Sequence, residues 1–216
     1  MELEQALATF REEFARTAPA GRVALYEAKI EELRSSSVLD LAIRVAAHAP
    51  DFELEDMRGS LVSLSQVLRS GPAVLTFYRG GWCPYCNIQL RAYQAILPQI
   101  LALGAQLIAI SPQNPDESLS TAEKNALSFS VLSDLGNGVA KRFGLVFSLP
   151  EELRAIMAAN GKSLPTINGD ESWELPVPAT FVIDTDGTVV LAHIDVDYRR
   201  RIEPDAILDV LRSLAR

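Results

Sequence analysis

The strongest constraint on this chain is the run between Ala73 and Ile110. Ala73-Val74-Leu75-Thr76-Phe77 is apolar and β-prone, and it leads through a short loop into Cys83-Pro84-Tyr85-Cys86. A long helix is predicted from about Pro84 to Leu103 and ends near Gly104, and Gln106 to Ile110 reads as a second buried strand. Strand, helix and strand in this order form a βαβ unit, whose two strands must lie parallel. The fold class is therefore α/β, with both cysteines of the 216-residue chain at the start of the crossover helix.

The flanking sequence fits that core. Asp51-Phe52-Glu53-Leu54 and Leu61-Val62-Ser63-Leu64 read as short strands around a Gly59-Ser60 turn, and a short helix follows to about Arg69. Beyond the βαβ unit, helices are predicted over 118–126 and 137–143 and a strand over 129–132. Pro150 is placed at N1 of a helix over 151–160, with Gly161 at its C′ position. Residues 164–178, with three prolines, read as an irregular loop. Thr180–Asp184 and Thr188–Ile194 make a hairpin through Asp186-Gly187, and Pro204 opens a last helix. Gly136-Asn137-Gly138 lacks phosphate-binding spacing and is read as a turn.

The first 49 residues differ in texture. Leu3, Leu7, Phe10 and Phe14 recur at helical spacing, a second amphipathic stretch runs over 20–33, and Ser37 suits the N-cap of a third helix over 38–47. Residues 1–49 are thus expected to be a helical N-terminal extension, and 50–216 the domain proper. The extension would pack on the domain or pair two copies into a homodimer.

Charge and composition exclude several functions. A net charge of −8 repels phosphate backbones, so no nucleic-acid partner is expected. Arg199-Arg200-Arg201, beside Tyr198, is read as a solvated cluster. No apolar run reaches the roughly 18 residues of a membrane helix. The acidic, amphipathic start lacks secretory-signal character, so the expected location is cytoplasmic.

A bridge between two cysteines so close in sequence would restrict the unfolded chain little, so chemistry is the better account. Cys83 falls at the first turn of a helix, where free N–H groups and the dipole favour an anion; its thiol should ionise readily. Cys86 lies about one turn along the same face, within disulfide reach, and is expected to be the more buried. Trp82 and Tyr85 would form an apolar collar, and Arg79 would either add positive charge or stand exposed. Zinc fits poorly, because only His48 and His193 remain as nitrogen donors and neither has ligand spacing. Inert core thiols, or a lone nucleophile with a histidine base, account for less of the pattern.

Five segments carry a family resemblance. FYRGGWCPYC with its helix is similar to the thioredoxin-fold redoxins. APDFELEDMRGSLVSLSQVL (49–68), GAQLIAIS (104–111), FSVLSDLGNGVAKRFGLVF (129–147) and PATFVIDTDGTVV (178–190) resemble, in order and spacing, the AhpC/TSA or peroxiredoxin branch. The resemblance implies a thioredoxin-like sandwich with a central mixed sheet flanked by helices, and a thiol-dependent peroxidase acting on hydrogen peroxide or organic hydroperoxides. Cys83 would be the attacking sulfur and Cys86 the resolving one, with Arg79, Trp82, Pro84, Tyr85, Pro178 and Thr180 around them. No cofactor or metal is implied, and a thioredoxin- or glutathione-type thiol would be the reductant.

Two positions depart from the family. Gly80 stands where peroxiredoxins have Thr or Ser, and Pro178 stands where they have Arg. Those side chains orient and polarise the peroxide. Pro178 instead resembles the cis-proline opposite the cysteines of thioredoxins, and is expected to be cis and to face Cys83. A disulfide reductase or oxidant is therefore the alternative activity, and a redox-sensing protein acting through its helical arm is a third. The acidic loop 170–174 would line or cover the docking surface.

Overall fold

In the computed structural model, which describes residues 2–215, two helices open the chain: α1 (Leu3–Thr17) and α2 (Arg22–Arg34). A hairpin follows, β1 (Glu53–Glu55) with β2 (Leu61–Ser63), and then α3 (Leu64–Leu68). The βαβ unit is β3 (Ala73–Phe77), α4 (Pro84–Ala102) and β4 (Gln106–Ser111). Next come α5 (Pro115–Lys124), β5 (Ser130–Ser133), α6 (Gly138–Arg142), β6 (Val146–Ser148), α7 (Glu151–Ala159), α8 (Leu164–Asn168) and β7 (Glu174–Pro176). The hairpin β8 (Ala179–Ile183) and β9 (Val189–Ile194) and the helix α9 (Pro204–Leu214) close the chain.

The central sheet has the order β5-β4-β3-β8-β9. β3, β4 and β5 are parallel and β9 runs in their direction, whereas β8, between β3 and β9, is antiparallel to both of its neighbours. Strand periodicity explains why β3 is apolar throughout. Val74 joins one core with α1, α4 and α9, while Ala73, Leu75 and Phe77 join the other with α3 and α6. With layers on both faces, this is the mixed thioredoxin-like sandwich.

The N-terminal helices pack on the domain. Leu3 and Leu7 are buried in the α4 core, and the Phe10 ring meets Tyr85 edge-on at 5.0 Å. Glu203 accepts from the free N–H of Leu3 at 3.2 Å, placing a carboxylate at the N-terminus of α1. Phe14 stacks on Tyr26 at 5.8 Å and joins α1 to α2.

Three segments differ from the sequence expectation. Residues 38–47 form turns rather than a helix, because their backbone groups bond to the domain: Ile43 donates to Phe143, Ala46 to Val189, and Ala47 accepts from Val189. Gly144 permits this approach, since a Cβ there would sit 2.3 Å from the Leu41 carbonyl. Residues 164–178 are not an irregular loop but carry α8 and β7. They are ordered by a small core of Leu149, Leu164 and Leu175 and by pairing of β7 with β6. Pro150 is the N-cap of α7 rather than its N1 residue.

Candidate active site

The C-terminal end of β3 delivers the loop Tyr78–Trp82, and α4 begins directly behind it. Cys83 is the N-cap of α4, with Pro84 at the first position. The loop backbone is fixed by side chains: Gly81 N–H donates to Gln113 at 2.8 Å, and Asn87 donates to the Gly81 carbonyl at 2.7 Å. Gly81 has no room for a side chain, because a Cβ would lie 2.1 Å from the Thr121 hydroxyl. Cys83 is thus placed by a braced loop and a helix start, which preorganises it.

Both sulfurs are fully buried, so Cys86 is not the more buried of the two. Arg79 is also buried and donates from Nη2 to Cys83 Sγ at 3.2 Å, so it is no exposed loop residue. Its guanidinium lies over the Tyr198 ring at 3.7 Å and beside the Trp82 ring at 5.2 Å. Burial alone would push the Cys83 thiol up. The hydrogen bond from Cys86 and the charges of Arg79 and Arg201 outweigh burial and hold it well below its ordinary value. Cys86 moves the opposite way, raised by burial and by the neighbouring Cys83. The opposed shifts favour ionisation of Cys83 while Cys86 keeps its proton.

Arg201 donates to Cys86 Sγ at 3.7 Å and, through Nε, to Gln89 at 2.7 Å. Gln89 in turn donates to Thr76, Tyr93 and Thr180. Thr180 therefore belongs to a buried polar network behind Cys86. The arginine cluster is only partly solvated. Arg200 is exposed, Arg201 turns toward Cys86, and Arg199 pairs with Asp197 at 2.7 Å and Glu27 at 2.6 Å.

Pro178 is buried and lines the cleft beside Arg79 and Tyr85, but its peptide bond is trans. The cis expectation is therefore corrected. β8 pairs along β3 from Ala179 onward, and Val177 N–H bonds the Leu145 carbonyl, so an extended chain carries Pro178 into the strand. Pro84 is exposed at the cleft wall, and Tyr85 is buried between Phe10 and Tyr198. His193 lies on β9 opposite Thr180 and His48 is exposed near Gly187; neither hydrogen-bonds a sulfur. Among the described residues no group of three or more His, Cys, Asp or Glu could hold a metal ion, and no helix is long and apolar enough to cross a membrane.

Two further features concern the altered positions. Gly80 has φ 140°, and a Cβ there would meet the Trp82 indole Nε1 at 2.4 Å. The indole thus fills the space a Thr side chain would need. Trp82 Nε1 and Arg79 Nε are buried donors without a partner. In front of them opens a cleft of about 380 Å3, walled by α1, α2 and α7.

The sequence matches the AhpC/TSA family over residues 45–192. The chain belongs to that family. Relatives include the chloroplastic peroxiredoxin Q of Triticum aestivum, 33% identical over 128 residues that span 59% of this chain and 58% of that protein. The chloroplastic peroxiredoxin Q of Sedum lineare is 28% identical over 84% of each chain. The crystal structure of peroxidoxin BcpB from Mycobacterium tuberculosis superposes with a TM-score of 0.63 at 25% identity, covering 80% of this chain and 98% of that one. Within the AhpC/TSA frame, the N-terminal helices lie outside the matched span, and so do Tyr198 and Arg201. Sequence reasoning missed those two residues and Gln89. The available signal was a Tyr followed by three arginines just after the last strand of an acidic chain.

Proposed function

We propose that the protein is a thiol-dependent peroxidase in which Cys83 attacks and Cys86 resolves. The observation that carries this is the buried Arg79–Cys83 contact at the N-terminus of α4, with Cys86 one turn along the helix. The Cys83 thiolate attacks the terminal oxygen of a hydroperoxide. An S–O bond forms, the O–O bond breaks, and the departing alkoxide or hydroxide takes up a proton, leaving Cys83 as a sulfenic acid. The N–H groups of Arg79 and Trp82 donate to the peroxide oxygens, in the roles that Thr and Arg serve elsewhere in the family.

Once Cys83 is a neutral sulfenic acid, it no longer opposes ionisation of Cys86. Arg201 and Arg79 then favour the Cys86 thiolate, which attacks the sulfenic sulfur; a disulfide forms and water leaves. A dithiol of the thioredoxin type or a glutathione-type thiol restores both cysteines. The working location is the cytoplasm. A homodimer through the N-terminal helices would use their open faces, because Leu3 and Leu7 are already buried against α4.

Disulfide exchange, the second activity, loses its main support because Pro178 lines the cleft with a trans rather than a cis bond. Full burial of both sulfurs favours a small peroxide over a protein disulfide. The test is intact-mass analysis after one equivalent of peroxide. Cys83→Ser should lose turnover, and Cys86→Ser should accumulate a sulfenate on Cys83. Oxidation confined to methionines would sink the peroxidase role. Fast insulin-disulfide reduction with negligible peroxide consumption would favour the second activity.

A further inference from the structure

The sheet face under α4 turns polar at one level. Val74 on β3 and Val182 on β8 stand opposite each other in the α4 core, and the next pair on that face is Thr76 with Thr180. Their hydroxyls are buried and 3.2 Å apart. α4 adds Gln89 and Tyr93, four residues apart and so on one helix face, and both are buried. Gln89 Nε2 donates to Thr76 at 3.2 Å, to Tyr93 at 3.1 Å and to Thr180 at 3.3 Å. An apolar set of the same shape would cost the core less desolvation, so packing alone does not call for these groups.

The network ends on the C-terminal segment. Gln89 Oε1 accepts from Arg201 Nε at 2.7 Å, and the Tyr93 hydroxyl donates to the Ile202 carbonyl at 3.3 Å. The side chain of one residue and the main chain of the next are thus both held. Arginine carries donors only, so the amide must turn its oxygen toward Arg201. Its NH2 then faces three hydroxyl oxygens, all able to accept. One orientation of Gln89 therefore satisfies every partner. With Nε fixed, the rigid guanidinium fork directs Nη2 to Cys86 Sγ at 3.7 Å.

We propose that Gln89 is a positioning residue for the resolving step, aiming the Arg201 guanidinium at the sulfur of Cys86. This deepens the peroxidase function and rests on it. In that step Cys86 loses its proton, an S–S bond forms to Cys83, and the S–O bond of the sulfenic acid breaks. The departing hydroxide takes up a proton and leaves as water. Gln89 acts on the sulfur through Arg201, which supplies the positive charge.

The test has two readouts. Rapid-quench mass spectrometry follows the Cys83 sulfenate, which Gln89→Met should make about threefold longer-lived or more. Sulfenate formation should slow less than its decay. The second readout needs no peroxide. In Cys83→Ser, thiolate absorbance against pH, taken as the difference from the double Cys→Ser protein, reports Cys86. Adding Gln89→Met should raise that midpoint by about 0.5 unit or more, the equivalent of threefold. In an Arg201→Met background, Gln89→Met should change neither readout, because residues that act as one unit are not additive.

An unmoved midpoint would overturn the proposal, as would equal shifts with and without Arg201. A longer-lived sulfenate without any shift of Cys86 would make Gln89 a packing residue and overturn it too. Tyr93→Phe, which removes a single oxygen, stands in should Gln89→Met fail to fold. It should raise the midpoint in the same direction, and no shift there would be equally fatal. Absence of any sulfenate in Cys86→Ser would refute the peroxidase function, whereas the titration still decides whether Gln89 aims Arg201 at Cys86.

Discussion

Replacing Arg79 by Met removes the cation 3.2 Å from Cys83 Sγ while keeping most of the side-chain volume. A hydrogen bond to a charged group is worth about 1.5–3 kcal/mol. Because Arg79 is buried, little of that is lost to solvent screening. At 1.36 kcal/mol per unit, the Cys83 pKa should rise by about 1–2 units. Thiolate absorbance in a pH titration reads this directly, and a shift under about 0.3 unit would refute the assignment of Arg79 as the principal counter-ion. The rate at high pH, where both proteins are fully ionised, separates two roles. If Arg79 only sets the pKa, the more basic thiolate of the variant should react about 2.5- to 10-fold faster, from a Brønsted slope of about 0.4–0.5. If Arg79 also donates to the breaking O–O bond, losing one such donor should cost about 100- to 1,000-fold, so the variant should be slower at every pH. We expect the second result. Arg79→Lys should restore part of the pKa and little of the rate, because an ammonium cannot lie flat on Tyr198 while donating to sulfur and peroxide. A variant that overtakes the wild type at high pH would confine Arg79 to its electrostatic role.

Gly80→Thr, which reinstates the family's residue, should cost about 1–3 kcal/mol and lower Tm by roughly 3–10 °C in a thermal melt, without faster peroxide reduction. A stable, faster variant would contradict the steric account. Arg201→Met should slow disulfide formation about 3- to 10-fold, as expected from losing a weak charged contact of about 1 kcal/mol; rapid-quench mass spectrometry would show a longer-lived sulfenate, and an unchanged lifetime would remove Arg201 from the resolution step. The stability of the reduced protein should depend on pH in two directions. Cys83 is depressed in the fold, so the unfolded chain holds its proton longer and stability rises with pH up to an unfolded value of about 8.5. Cys86 is raised in the fold, so above about 8.5 the unfolded chain sheds that proton first and stability falls. Urea unfolding of the wild type against the double Cys→Ser protein should isolate this maximum; two parallel curves would refute the paired shifts.

The parts legible in the sequence are those fixed by local pattern. β3 could be placed because a strand covered on both faces must be apolar along its length, and α4 because Pro84 and Gly104 bracket it. Cys83 and Cys86 were legible because helix spacing alone sets their separation. What stayed hidden depends on distant chain. Arg201 reaches Cys86 from 115 residues away, and nothing near Tyr198 in the sequence distinguishes an inward arginine from a solvated one. Residues 38–47 have helical pattern, but their backbone bonds to Phe143 and Val189 take precedence, as tertiary contacts override weak propensity. α8 and β7 escaped notice because their order comes from Leu164 and Leu175 meeting Leu149, a contact across a proline-rich stretch.

The altered family positions show how local pattern and distant chain act together. Read alone, Gly80 and Pro178 remove two polarising side chains and leave a thiolate without help. In the folded molecule, the missing side chain at 80 is what lets Trp82 swing its Nε1 to within 2.4 Å of where a Cβ would stand. Arg79, one residue earlier, points at the sulfur because Tyr198 supplies a face for it to lie on. Tyr198 comes from beyond β9, outside the span matched to the family. The two donors therefore require both the glycine in the loop and the C-terminal segment over it. Tyr198→Ala should disturb Arg79 as much as a direct substitution does: with its stacking surface gone, the guanidinium loses the contact that holds it, and the Cys83 pKa should rise toward that of Arg79→Met. An unshifted thiolate titration in Tyr198→Ala would show that the loop alone aims Arg79, and the C-terminal segment would then have no part in activating the sulfur.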